Sequence, residues 1–243
     1  SWLFQLPNEL ADFFHQRPSD EQLNVVANQI LEDLGVDVQL EDDSLLDQLL
    51  DRFGPAFPTT RIFSAFARDT LRDVDPVQNP DDTILAWMGH EEVLFRTLEK
   101  HIVKRQLEIG FEGDVDFFLK YSLSVQNRRK SRVGHAFENH LEQLFIDNEI
   151  RYSRGQITEG KSRPDFLFPG VEEYHDLLFP TESLSMLGAK TTLKDRWRQV
   201  LVEAERIPLK HLITLQPSIS VDQTDEMRAH SVQLVIPATV HSS

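Results

Sequence analysis

From Leu184 to Pro208 the chain reads LSMLGAKTTLKDRWRQVLVEAERIP, and no other stretch restricts the fold as strongly. The largely apolar run from Leu184 to Ala189 ends in Lys190, which predicts a strand whose exposed end presents a cation. Thr191 and Thr192 break the pattern, and Thr192 with Asp195 three positions on has the form of an N-terminal capping box. Leu193, Trp197, Val200, Leu201 and Ala204 then recur at helical spacing, and Pro208 stops the helix at Ile207. Lys194, Asp195 and Arg196 fall at the tip of this helix, with Arg198 one turn in. Forked cations beside one acceptor are suited to reading base edges in a DNA major groove.

The flanking sequence predicts an α/β sheet with helices on its faces. Strands are expected over Glu149 to Ile157, Arg163 to Phe168, Leu184 to Lys190, Lys210 to Gln216 and Val232 to Ile236, with a short helix from Val221 to Ala229. Ahead of them the period is helical: Ser19 to Leu34 stopped by Gly35, Asp42 to Phe53, and Thr60 to Leu71. Asp81 to Leu107 reads as one long helix or two, followed by Asp114 to Val125 and Gly134 to Asn148. Glu91, Glu92 and Arg96 read as a polar helix surface. The punctuated loop from Asp75 to Pro80 divides the chain into an acidic helical region, 1–80, and an α/β domain with a central mixed sheet flanked by helices, 81–243.

A net charge of −15 argues against a nucleic-acid partner until its distribution is examined. Residues 1–85 hold 5 basic and 17 acidic residues, a balance of −12, so only −3 is left for the remaining two thirds. Within that remainder, Arg128, Arg129, Lys130 and Arg132 form one basic cluster, and Arg151, Arg154, Lys161 and Arg163 another. Local field governs binding more than the molecular sum does. The chain has no Cys, no signal-peptide pattern and no apolar run of membrane-spanning length, so a cytoplasmic protein without membrane contact is expected. It begins at Ser1 rather than Met and reads as a domain of something longer.

Four residues carry the candidate chemistry: Glu138 on a helix, Asp165 after Pro164 at a strand, Lys190 at the end of the next strand, and Glu203 on the helix beyond. Carboxylates and a lysine converging at strand ends suit metal-assisted hydrolysis of a phosphodiester. Hard oxygen ligands hold Mg2+ with waters left on the ion, and the ion activates the attacking water. A lysine nearby orients that water and balances charge on the phosphoryl group. Each residue alone also fits a turn cap or a solvated strand end. Their joint occurrence beside a cationic helix tip favours the nuclease.

These segments also resemble a known family. Ser162-Arg-Pro-Asp-Phe-Leu-Phe-Pro-Gly170, Gly188-Ala-Lys-Thr-Thr-Leu-Lys-Asp-Arg-Trp-Arg-Gln199, Ser124-Val-Gln-Asn-Arg-Arg-Lys-Ser-Arg132, Phe137-Glu-Asn-His-Leu141 and Glu205-Arg-Ile-Pro208 resemble the catalytic C-terminal domain of EcoRII-type restriction endonucleases, over residues 85–240. The resemblance implies a PD-(D/E)XK core, Mg2+-dependent cleavage of double-stranded DNA at a CCWGG-like site, and a homodimer. It implies Asp165, Glu203 and Glu138 as metal ligands and Lys190 as the motif lysine. The acid usual two residues before that lysine is replaced by Gly188; in this family and its relatives it is displaced onto the following helix, which matches Glu203, with Glu205 the competitor. Lys194, Asp195 and Arg196 match the base-reading positions, and Arg128, Arg129, Lys130 and Arg132 would bind phosphates or the minor groove. Two alternatives remain: a modification-dependent or effector-regulated nuclease of the same fold, and a non-catalytic sequence-specific DNA-binding module.

Overall fold

A computed structural model describes residues 43–241. The helix expected over Ser19 to Leu34 lies outside the described residues. Two short helices come first, α1 (Asp43–Phe53) and α2 (Thr60–Thr70), followed by two long ones, α3 (Pro80–Ile109) and α4 (Val115–Asp147). Their starts follow local chemistry. Thr59 caps α2 by accepting from the Ile62 N–H, and Asp114 caps α4 by accepting from the Phe117 N–H. Pro80 opens α3, with Asp81 and Asp82 against the positive end of its dipole.

The structure corrects the division of α4. Two helices separated by a basic stretch were expected, yet residues 115–147 form one helix of 33 residues. Neither Arg128–Arg132 nor Gly134 breaks it. A lone glycine costs only about 1 kcal/mol in a helix interior, and Ala136, Phe137, Leu141 and Leu144 are buried just beyond it.

The sheet is mixed, in the order β1-β2-β3-β4-β5. Its strands are β1 (Ser153–Arg154), β2 (Phe166–Phe168), β3 (Ser185–Ala189), β4 (Lys210–Ile213) and β5 (Val232–Val235). β1 and β2 pair antiparallel, as do β2 and β3; β3 with β4 and β4 with β5 run parallel. The strand expected over Glu149 to Ile157 shrinks to two residues. A five-residue helix missed by periodicity, α5 (Val171–His175), follows β2. α6 (Val221–Ala229) precedes β5, and α7 (Ala238–His241) ends the described chain.

Alternation along the strands splits the core in two. Phe166, Ala189 and Ile213 face Ile84, Trp87 and Met88 of α3 and Phe137 and Leu141 of α4. Leu167, Met186, Leu212 and Val232 face Tyr174, Trp197, Val200, Ala204, Ile207 and Met227. A third cluster joins Leu49, Phe63 and Ala67 of α1 and α2 to Leu94, Phe95 and Leu98 of α3.

The segment after β3 departs from expectation. Lys194–Val202 is a 3-10 helix of 9 residues rather than an α-helix. Its N-cap is Leu193 rather than Thr192, and Leu193 carries no side-chain cap bond. The Leu193 N–H donates instead to Gln216 Oε1, at 2.8 Å. The helix ends at Glu203 rather than Ile207, because Ala204 takes a left-handed φ of 48° and reverses the chain. The apolar stripe survives: Leu193, Trp197, Val200, Ala204 and Ile207 are all buried.

Candidate active site

Asp165 stands just before β2 and Lys190 just after β3, on neighbouring strands. Lys190 Nζ donates to Asp165 Oδ2 at 2.7 Å, and the Ala189 N–H donates to the same oxygen at 2.7 Å. The two side chains are only 10% and 16% exposed. Two charge-assisted bonds on one carboxylate oxygen fix its position beside the ammonium.

Glu203 arrives from the C-cap of the 3-10 helix, and Gly188 accounts for that detour. A Cβ at position 188 would meet Val200 Cγ1 at 2.7 Å and Leu212 Cδ1 at 3.3 Å. The 3-10 helix therefore lies against β3 where an acid two residues before Lys190 would project. The same helix delivers Glu203 instead. Burial pushes the Glu203 carboxyl up to about 7, with Asp165 adding to the rise and Lys190 and Lys210 opposing it. Its Oε2 is buried without a hydrogen-bond partner. The competing acid, Glu205, is exposed.

This carboxyl gives a stability test. An acid whose pKa is raised on folding contributes stability below its ordinary value, and that contribution is lost as pH rises through about 7. Glu203→Gln should therefore stabilise the metal-free protein by about 1–2 kcal/mol at pH 8, after allowance for solvent screening, and by a small fraction of that at pH 5. Thermal melting across this range checks it; an equal gain at both pH values contradicts the burial.

Glu138 is engaged elsewhere. Arg154 Nη2 donates to Glu138 Oε2 at 3.0 Å, and its Nη1 donates to Glu142 Oε2 at 2.7 Å and Asn139 Oδ1 at 2.8 Å. Among the described residues, no three carboxylate or imidazole groups gather tightly enough to hold a metal ion. The expected three-acid set is therefore not assembled here. Asp165 and Glu203 still fit a hard divalent ion: the orphaned Glu203 oxygen is an available donor, and Mg2+ commonly takes one or two carboxylates and keeps its waters.

The basic candidates separate by burial. Arg132 is 4% exposed, with its guanidinium 4.0 Å over the Phe95 ring and paired to Glu92 and Glu91. This corrects both its reading as a DNA contact and that of Glu91 as surface, since Glu91 is 0% exposed. Arg129 reaches Glu99 at 2.7 Å, Arg128 stacks 4.6 Å over Phe57, and Lys130 is exposed. Arg196 is exposed; Arg198 pairs with Glu226 at 2.5 Å. Lys194 and Asp195 are described by their backbone alone. Of the second cluster, Arg151 pairs with Glu173 and Arg154 is internal, while Lys161 and Arg163 are exposed.

Sequence reasoning passed over two residues beside the site. Arg154 was counted only as one charge in a cluster. Lys210 was read only as the start of a strand, although it shares the parity of Leu212 and so an inward face; it is 5% exposed.

Residues 95–243 match the family model described as EcoRII C terminal. The chain is 48% identical over 164 residues to the type II restriction enzyme EcoRII of Escherichia coli, covering 67% of this chain and 40% of that protein. To the type II restriction enzyme SsoII of Shigella sonnei it is 25% identical over 194 residues, covering 68% of this chain and 62% of that one. The chain thus spans well under half of EcoRII. Among solved structures, metal-depleted Ecl18kI in complex with uncleaved DNA aligns with a TM-score of 0.65 at 24% identity, over 82% of this chain and 76% of that one. The complex of restriction endonuclease PspGI with substrate DNA aligns at 0.56 and 18% identity, over 80% and 75%. At these identities the likeness concerns the fold, which is that of the restriction endonucleases.

Proposed function

The chain belongs to the EcoRII C-terminal family, and from that premise we propose that it is the catalytic module of a type II restriction endonuclease, a Mg2+-dependent hydrolase of phosphodiester bonds in double-stranded DNA at a CCWGG-like site. The observation that carries this reading is the 2.7 Å contact between Lys190 and Asp165 at adjoining strand ends, with the Glu203 carboxylate, its Oε2 buried without a partner, in their field. Asp165 and Glu203 are the proposed metal ligands. Glu138 is the proposed third acid, oriented from the neighbouring helix by Arg154. When bound, Mg2+ would polarise the scissile phosphate and acidify the attacking water. Lys190 neutralises charge that develops on the phosphoryl oxygens and orients the nucleophile, from a site partly closed to solvent where such contacts count most.

Base reading falls to the 3-10 helix. Arg196 can give a bidentate pair to guanine and Asp195 can accept from a cytosine amino group, each worth about 1–3 kcal/mol of discrimination. Lys194 belongs to the same tip, and Arg198 reaches DNA by exchanging Glu226 for it. Arg128, Arg129 and Lys130 are the proposed phosphate contacts. A homodimer acting in the cytoplasm of a bacterium matches a site of CC and GG around a central A·T pair, because two-fold protein symmetry mirrors a pseudo-palindrome.

Plasmid DNA digested with Mg2+ and sequenced at its ends tests this directly. The expected result is ends at one recurring site of this pattern. Binding in Ca2+ with no cleavage in Mg2+ overturns the enzyme in favour of a DNA-binding module.

A further inference from the structure

Lys210 opens β4 on the face that packs under the 3-10 helix, and its ammonium is spent on main chain. Nζ donates to the Glu203 carbonyl at 2.5 Å and to the Ala204 carbonyl at 2.6 Å. These carbonyls end the 3-10 helix at the point where Ala204 turns left-handed, with φ 48°. A left-handed alanine is strained, and a cation at the carbonyl end of a helix offsets such a cost.

The next two residues are pinned as well. The Glu205 N–H donates to Glu159 Oε2 at 3.2 Å, and the Arg206 N–H donates to Tyr174 Oη at 3.2 Å. Tyr174 Oη in turn donates to Glu159. The Arg206 guanidinium is held by the Tyr174 and Asp176 carbonyls, at 2.6 and 2.7 Å. A reversal secured at four successive residues leaves the Glu203 side chain little freedom of origin.

We propose that Lys210 is a positioning residue for Glu203: its buried ammonium holds the reversal at Glu203 and Ala204 and so fixes where the Glu203 carboxylate stands toward Asp165, Lys190 and a divalent cation. This rests on the nuclease reading for the cation and on geometry alone for the reversal. Lys210 never meets substrate. It replaces what an acid on β3 would have had without help, a rigid strand beneath it. Outer partners that orient a ligand typically account for 10–100-fold in metal affinity.

The test uses the DNA-free protein. Mn2+ binding is titrated by electron paramagnetic resonance, and amide exchange is followed at Glu205 and Arg206. Lys210→Met keeps the length of the side chain and removes its donors. It should weaken Mn2+ binding about 10-fold or more and speed exchange at both amides. Adding Ala204→Gly should recover part of the lost affinity, because glycine takes a left-handed φ without strain; a side chain that merely filled space would not respond to that change. Should Lys210→Met not fold, Lys210→Leu, which also lacks a donor, takes its place in the same comparison. Mn2+ affinity within twofold of wild type in a folded variant, with exchange unchanged, overturns the inference. Wild-type protein that binds no Mn2+ overturns the nuclease reading together with the metal half of the inference, and faster exchange then supports only the hold on the reversal.

Discussion

Lys190→Ala is expected to lower the rate of Mg2+-dependent cleavage roughly 10²–10³-fold, the usual effect of removing one preorganised donor from a transition state. The contact at stake is short and shielded: Nζ lies 2.7 Å from Asp165, with the lysine side chain 10% exposed. The loss should fall on the catalytic rate rather than on DNA affinity, because the proposed base-reading tip begins four residues later. Lys190→Arg should not restore the rate, since a planar fork cannot replace a point charge against one carboxylate oxygen. Removing the ammonium also leaves Asp165 without its ion-pair partner and Glu203 with only the Lys210 charge opposing its rise, so the variant should respond more steeply to added divalent ion. Single-turnover cleavage alongside DNA binding in Ca2+ separates these effects. Cleavage at the wild-type rate after Lys190→Ala would remove the active-site assignment.

The largest expected effect on stability lies in the helical layer, away from the chemistry. Glu91→Ala should destabilise the protein by about 3 kcal/mol, because it takes one of two carboxylates from the buried Arg132, leaves Glu92 alone to neutralise it, and opens a cavity. In a chain of this size that lowers the melting temperature by roughly 10 °C. Glu91 is fully buried between α3 and α4, with Oε1 3.6 Å from Arg132 Nη1 and Oε2 2.9 Å from His140 Nε2, the latter off the line of a good hydrogen bond. Burial lowers the His140 pKa and so favours the neutral ring. Arg68 Nη1 stands 3.1 Å from Nδ1; Nδ1 accepts, and the proton on Nε2 faces Glu91. Replacing both ionic partners, Glu91→Leu with Arg132→Met, should recover much of the loss, since apolar groups of similar volume often match a buried pair. Chemical denaturation of the single and double variants decides this. A loss under about 1 kcal/mol for Glu91→Ala would mean that the network is solvated and Arg132 free to serve DNA.

Arg132 and Glu91 also mark where linear reading fails. In sequence both belong to polar runs, and a solvated face is the ordinary fate of such runs. They are buried because two helices of 30 and 33 residues lie side by side and bring their polar positions into one seam. That outcome depends on which helix faces which, and no local window contains it. Glu203 is the opposite case. The family resemblance expected it to stand in for the acid missing at position 188, and Val200 does occupy the space a side chain on Gly188 would need.

Sequence by itself determined the order of the strands around Asp165 and Lys190 and the inward stripe from Leu193 to Ala204. It did so because strand alternation, helical spacing, proline stops and N-caps are local properties. Tertiary structure alone decided that Lys194–Val202 is a 3-10 helix, that Arg154 holds Glu138, and that Lys210 holds the chain at Glu203. Each depends on a partner 7 or more positions away, and the free energy of a buried charge is set by the partner it meets, not by its own identity.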